Sequence, residues 1–186
     1  MTFEIILGIL IAGIITNNYA LIEMLGTGAV IENERSSRKS LIIGLGTTLV
    51  MILTSLITWP INVLLLGNLT FLQPLVTVVA TLIVVELVHL FTKKGLEGYC
   101  KVDFLKFAIN GAVLGLCIHN THLGFVEALV TAFAVGLGLT FTMVVFSSLH
   151  KKIDEEAVPA SFRGLPIALL TAAMMALALL AFCPPL

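Results

Sequence analysis

Charge is confined to a few short segments of this chain, and that constrains its fold more than any other feature. Residues 40–85, 107–126, 128–150 and 164–186 contain no Asp, Glu, Lys or Arg. The first of these runs is long enough for two membrane spans of about 20 residues each. Over 186 residues the chain is 59% hydrophobic and 11% charged, with a mean hydropathy of +1.11. Soluble domains carry about 25% charged residues, so the composition points to lipid as the solvent. With an N-terminal apolar stretch the runs predict six spans, near 3–26, 40–60, 70–92, 104–119, 124–149 and 164–183. Met1-Thr2-Phe3-Glu4 offers no basic n-region, so the first stretch reads as a span and not as a removed signal.

The charges that do occur orient those spans. All ten basic residues fall in three segments: Arg35, Arg38 and Lys39; Lys93, Lys94, Lys101 and Lys106; Lys151, Lys152 and Arg163. In a six-span chain these three loops share one face. The positive-inside rule makes that face cytoplasmic and puts both termini outside. A bacterial or archaeal cytoplasmic (inner) membrane is the expected location.

A repeat subdivides the chain. Gly44-Leu45-Gly46-Thr47-Thr48-Leu49-Val50-Met51-Ile52-Leu53-Thr54-Ser55 returns 92 residues later as Gly136-Leu137-Gly138-Leu139-Thr140-Phe141-Thr142-Met143-Val144-Val145-Phe146-Ser147, identical at six of twelve positions. The same offset pairs Asn18 with Asn110, Ala20 with Ala112, Pro74 with Pro166 and Ala80 with Ala172. A constant offset near half the length marks two copies of one unit. We read the copies as 1–92 and 93–186. Three spans per copy is an odd number, so the second copy enters from the opposite face and the repeat is inverted, an arrangement that places function between the halves. The fold class is therefore an all-α membrane protein of two inverted three-helix repeats. Helix breaks are expected at Asn17-Asn18 in span 1 and Asn110-Gly111 in span 4, the latter span being short. The glycines at 44, 46, 136 and 138 suit close helix contact.

Few side chains offer chemistry. Glu86 and His89 are three residues apart in the third span and share a helix face. An ionisable group inside a membrane is costly and marks ion handling, while a position near the span end allows it to snorkel to the interface. Glu23 in the first span poses the same choice. His119 and His122 have metal-compatible spacing but no evident third ligand, which suits a solvated interfacial pair. Asn18 and Asn110, at the expected breaks, can cap half-helices and shape a central site, or make ordinary interhelical hydrogen bonds. Cys100, Cys117 and Cys183 form no metal or disulfide spacing. No nucleotide-binding, zinc-protease or nucleophile motif is present, and nothing supports nucleic-acid binding.

Several segments resemble a known family. Asn17-Asn18-Tyr19-Ala20-Leu21, Leu25-Gly26, Asn110-Gly111-Ala112-Val113-Leu114-Gly115, Val158-Pro159-Ala160-Ser161-Phe162-Arg163-Gly164 and Ile167-Ala168-Leu169-Leu170-Thr171-Ala172 are similar to the RnfA-type membrane subunits of Rnf electron-transport complexes. The wider family takes in RnfE and the D and E subunits of the sodium-translocating NADH:quinone reductase. The resemblance runs from Phe3 to Phe182. It implies six helices with half-helices in spans 1 and 4, an RnfE-like partner, and flavin and iron–sulfur subunits beyond it. It also implies one iron–sulfur cluster between the paired subunits, two cysteines from each, in a complex that couples ferredoxin–NAD electron transfer to sodium or proton movement.

At the ligand positions the chain departs from that pattern. The family's Leu-Gly-x-Cys reads Leu25-Gly26-Thr27-Gly28, and its Asn-Cys-Ala reads Asn110-Gly111-Ala112. Clusters are held by thiolates, rarely imidazoles, and glycine supplies neither. Cys117 lies six residues past Gly111, about 9 Å along a helix. The resemblance thus implies a membrane component of an ion-translocating electron-transfer complex, while Gly28 and Gly111 leave the cofactor unassigned. Two other readings fit six apolar helices: a small-molecule transporter or vitamin-binding membrane component, and a cluster-free structural paralogue.

Overall fold

Many buried positions of this molecule are polar, and many of its leucines are exposed. The computed structural model describes residues 3–31, 37–64, 70–93, 110–154 and 158–182. The described residues form seven α-helices and no strand: α1 (Phe3–Ile11), continued by a π-helical turn (Ala12–Thr16), α2 (Thr27–Ile31), α3 (Ser37–Leu64), α4 (Gln73–Lys93), α5 (Gly111–His119), α6 (Phe125–His150) and α7 (Leu165–Leu180). The long helices fall within a few residues of the expected spans. α3 and α6 are long and apolar enough to cross a membrane, and α1 with its π turn, most of α4 and all of α7 are shorter apolar helices. Residues 94–109 lie outside the described residues, so of the expected fourth span only the part from Asn110 is seen. Cys100 and Cys183 lie outside them as well.

The most extensive contact is between α3 and α6. It is made by the repeated segments, each against the other. A Cβ placed on Gly44 would stand 2.8 Å from the Thr140 Cα, and one on Gly136 would stand 2.5 Å from the Thr48 Cγ2. Only glycine permits so close an approach, which is how small residues let apolar helices pack without a hydrophobic drive. Between the two glycine contacts the Thr48 and Thr140 hydroxyls meet at 3.1 Å. Contact passes from Gly44 to Thr48 on α3 while it passes from Thr140 back to Gly136 on α6, so the helices run antiparallel. Each repeat position touches the counterpart of its neighbour, as in an isologous interface.

The remaining elements flank this pair. α4 lies on α3 and α5, while α7 lies on α6, α2 and the π turn. Ala20, Leu21 and Val30 join Val113 and Leu116 of α5, Leu139 and Met143 of α6 and Ala172 of α7 in one core. Threonines buried in that environment satisfy their hydroxyls on their own helix. Thr47 donates to Ile43 O, Thr48 to Gly44 O, Thr58 to Thr54 O and Thr81 to Thr77 O, the local bond open to Thr in helices. The outward faces carry Leu41, Leu45, Leu49 and Leu56 on α3, and Leu169, Leu170, Met174 and Leu177 on α7. Apolar exposure on this scale marks membrane or partner contact.

Candidate functional site

The site begins where α1 stops. The last turn of that helix widens into a π turn, in which the Asn17 N–H reaches back to Ala12 O at 2.7 Å. Such turns recur at functional sites. Asn17 then leaves helical conformation at φ −130°, ψ 50°. Asn18 follows, completely buried. Its amide nitrogen donates to Ile14 O at 2.9 Å, Thr142 Oγ1 at 3.0 Å and Gly138 O at 3.3 Å. Its Oδ1 accepts the N–H groups of Ala20 at 3.0 Å and Leu21 at 3.3 Å. One side chain thereby closes the end of α1, starts the next segment and ties both to α6. The segment turns back through Met24 and Gly26, both at positive φ (56° and 86°), before α2.

The second break position is built differently. Asn110 is extended (φ −129°, ψ 164°), and its Oδ1 accepts the Val113 N–H at 3.0 Å, capping α5. Asn110 is half-buried where Asn18 is wholly buried.

These two places touch. A Cβ on Gly26 would lie 3.0 Å from the Ala112 Cβ and 3.6 Å from the Asn110 Oδ1. A Cβ on Gly111 would lie 3.6 Å from the Gly26 nitrogen and 3.8 Å from the Leu25 Cδ2, ordinary contact distances, and one on Gly28 would meet nothing within 4 Å. Gly28 and Gly111 are both exposed. The fold therefore brings the 25–28 turn onto the start of α5 and leaves room at both glycines for a side chain facing away from the core. It supplies no donor there. Among the described residues the free cysteine is Cys117, 2% exposed in the core. The described residues at this contact do not fit an iron–sulfur cluster.

The other candidate residues lie apart from that contact. Glu23 is exposed in the turn before α2, and Glu86 is exposed on α4. His89 follows in the same helix, with its side chain outside the described residues. His119 stands edge-on to Tyr19, ring centroids 6.5 Å apart and planes at 75°. His122, in the short 3-10 turn Asn120–His122, is exposed. Between them Asn120 is buried and donates to Ser55 Oγ at 2.8 Å and Ala128 O at 3.0 Å, pinning this turn to α3 and α6. No group of three His, Cys, Asp or Glu able to hold a metal occurs among the described residues.

Sequence reasoning missed a cleft. It is an open cleft of about 190 Å³, lined by Ile9, Ala12 and Gly13 of α1 and its π turn, Asn17 and Tyr19 of the break, His119 of α5, Leu123, and Glu127, Thr131 and Val135 of α6. The signal available was Glu127, the lone charge separating the uncharged runs 107–126 and 128–150.

Comparison with known proteins adds the relatives. The sequence model of one family, described as "Rnf-Nqr subunit, membrane protein", matches residues 6–184. The chain is 33% identical over 181 residues to the A-type subunit of the ion-translocating oxidoreductase complex of Syntrophotalea carbinolica, covering 94% of each chain. It is 31% identical to the proteins of the same name from Shigella flexneri, over 91% of each chain, and Buchnera aphidicola, over 92% of each.

Proposed function

The chain belongs to the Rnf-Nqr family of membrane proteins, and from that premise we propose that it is the A-type membrane component of an ion-translocating electron-transfer complex. The observation that carries the reading is the match to relatives of that name over more than nine-tenths of both chains. The inside-out burial supports the membrane part. Asn18, Thr47, Thr54 and Asn62 are at most 1% exposed while Leu64, Phe71 and Met174 are more than 60% exposed.

The proposed architecture is six spans in two inverted repeats, 1–92 and 93–186, with basic loops in the cytoplasm and both termini outside. It is supported by the crosswise Gly44–Thr140 and Gly136–Thr48 contacts, which are what a two-fold axis in the membrane plane produces from an inverted repeat. The proposed partner is an RnfE-like protein, seated on the face that exposes Gly28 and Gly111, with flavin and iron–sulfur subunits beyond it. Asn18 and Asn110 shape that face by holding the two chain turns that meet there. Among the described residues no thiolate reaches it, and the part proposed for this chain in the complex is scaffold and ion path, with Glu86, His89 and Glu23 as candidate ion-handling groups.

A second reading, a cluster-free structural paralogue, is favoured by the two glycines alone. Purification of the tagged chain from its native membrane separates the two. Co-purified flavin and iron–sulfur subunits, with electron transport lost on deletion and weakened by Glu86→Gln, support the first. A complex whose ion movement is indifferent to Glu86, Glu23 and His89 substitutions supports the second.

A further inference from the structure

Helices α3 and α4 meet along a seam whose buried side chains are polar, and we infer that this seam holds a file of ordered water, entered from the Leu64 end of α3 and stopped by a cluster of valines. One contact sets the register. α3 ends at Leu64 and α4 begins at Gln73, and so short a connection makes neighbouring helices antiparallel. Val50 of α3 packs with Val84 and Val85 of α4, all at most 1% exposed. Each turn from Val50 toward Leu64 therefore comes level with a turn from Val84 back toward Gln73: Thr54 with Thr81, Thr58 with Thr77, and Asn62 with Gln73. Thr54, Thr58, Asn62, Thr77 and Thr81 are all buried. α5 lies against both helices, and its Cys117 thiol hydrogen-bonds the Thr58 side chain.

Three observations point to water. First, Thr54 Oγ1 and both polar atoms of the Asn62 amide are buried without a hydrogen-bond partner among the described residues, as is Asn120 Oδ1 in the turn against α3. Buried polar groups are paired with protein or with ordered water. Second, the hydroxyls of Thr58, Thr77 and Thr81 donate to carbonyls of their own helices, which leaves their oxygens free to accept from water. A buried water makes about three hydrogen bonds, and the Asn62 amide with the threonine oxygens offers both donors and acceptors. Third, the repeat does not keep the feature. At the offset of 92 residues Thr54, Thr58, Thr77 and Thr81 become Phe146, His150, Leu169 and Ala173, and the Phe146 and His150 rings stack at 5.4 Å. The scaffold alone therefore does not require a polar seam. At its other end the seam meets Val50, Val84 and Val85, with Leu53 and Val88 around them. These side chains offer water no partner, and apolar constrictions of this kind close aqueous paths by dewetting. Val50 stands midway along the 28 residues of α3, so the file is a half-path from one face. Passage beyond the valines rests on the proposed function. Hydration up to them does not.

Thiol exchange tests the file. The full-length chain in detergent loses its native thiols through Cys100→Ser, Cys117→Ala and Cys183→Ser, and receives one probe. Thr54→Cys stands in the seam, Val85→Cys among the valines and Val113→Cys in the core of α5, all at positions at most 1% exposed or less. After transfer to heavy water, the infrared S–H band is followed as it converts to S–D. A thiol exchanges only on contact with water, and where none is present exchange waits on local opening of the fold. The expected result is exchange of Thr54→Cys about tenfold or more faster than that of Val85→Cys and Val113→Cys. Adding Asn62→Leu puts an apolar side chain at the entry and slows Thr54→Cys toward the other two. Should Thr54→Cys not fold, Thr81→Cys carries the same test from the facing helix, with the same outcome expected. A seam thiol that exchanges no faster than Val113→Cys, or one whose exchange is indifferent to Asn62→Leu, overturns the inference.

Discussion

Replacing Asn18 by alanine isolates the device that ends α1. The change opens no route for water, because residues 18–20 are all buried. It strips the acceptor from two backbone N–H groups, Ala20 and Leu21, and the donor from Ile14 O and Thr142 Oγ1, with a longer bond to Gly138 O also lost. A buried polar group left without a partner costs about 1–3 kcal/mol. Gly138 lies within a helix and keeps its ladder bond, and a hydroxyl can rotate to another acceptor. The two N–H groups and the Ile14 carbonyl then dominate, which gives a loss of about 3–9 kcal/mol. Folded domains are stable by only about 5–15 kcal/mol. For a chain of this size each kcal/mol moves the thermal midpoint by about 2–4 °C, so the midpoint of Asn18→Ala is expected to fall by roughly 6–36 °C. Asn110→Ala removes a helix cap, worth about 1 kcal/mol, and is expected to fall by only a few degrees. Thermal melts of the detergent-solubilised chain, followed by circular dichroism and Trp59 emission, make the comparison. Equal small shifts for both variants would refute the argument that Asn18 holds the break.

Four further outcomes follow from the same geometry. Gly136→Val places branched carbons where even a Cβ stands 2.5 Å from Thr48, and overpacking of this kind costs about 1–3 kcal/mol; the melt should drop by several degrees, whereas Gly28→Ala should not move it. The double variant Gly28→Cys, Gly111→Cys should fold as the parent does, since both sites admit a Cβ, and both thiols should react quickly with a maleimide while Cys117 stays slow; slow labelling at either new position contradicts the exposed face. Asn62→Leu should hold or raise the melting temperature, because both polar atoms of the buried Asn62 amide lack a partner among the described residues and an apolar replacement removes a penalty of about 1–3 kcal/mol. Thr48→Val together with Thr140→Val should cost about 1 kcal/mol or less, because each hydroxyl is already bonded within its own helix; a larger loss would give the cross-helix bond more weight than its geometry supports.

The helices and their contacts were legible because lipid burial writes a simple code. Uncharged runs gave α3, α4, α6 and α7 to within a few residues, and the repeated Gly-x-Gly segments turned out to be the α3–α6 contact itself. The end of α1 at Asn17 was legible from the same repeat. Its π turn was not, since the widening depends on Asn18 reaching Gly138 and Thr142 more than a hundred residues away. The inequality of Asn18 and Asn110 was equally hidden. The two are the same residue at matching positions, and only their neighbours make one a five-bonded hub and the other a cap. The cleft was missed for a related reason. Its polar walls come from the first break, the end of α5 and the start of α6, and each contributes only one or two residues that alone read as interfacial. The sequence did expose the lack of donors at Gly28 and Gly111, because that depends on residue type alone; the structure adds that both positions face outward with room around them.

The most direct test of the account is electron-driven ion uptake in inverted vesicles from the native membrane, compared between the parent strain, a strain lacking this gene, and that strain carrying Glu86→Gln. The account predicts sodium- or proton-coupled uptake in the parent, none in the deletion, and uptake reduced in the variant although the complex assembles. Uptake and electron transfer undiminished in the deletion strain would contradict it.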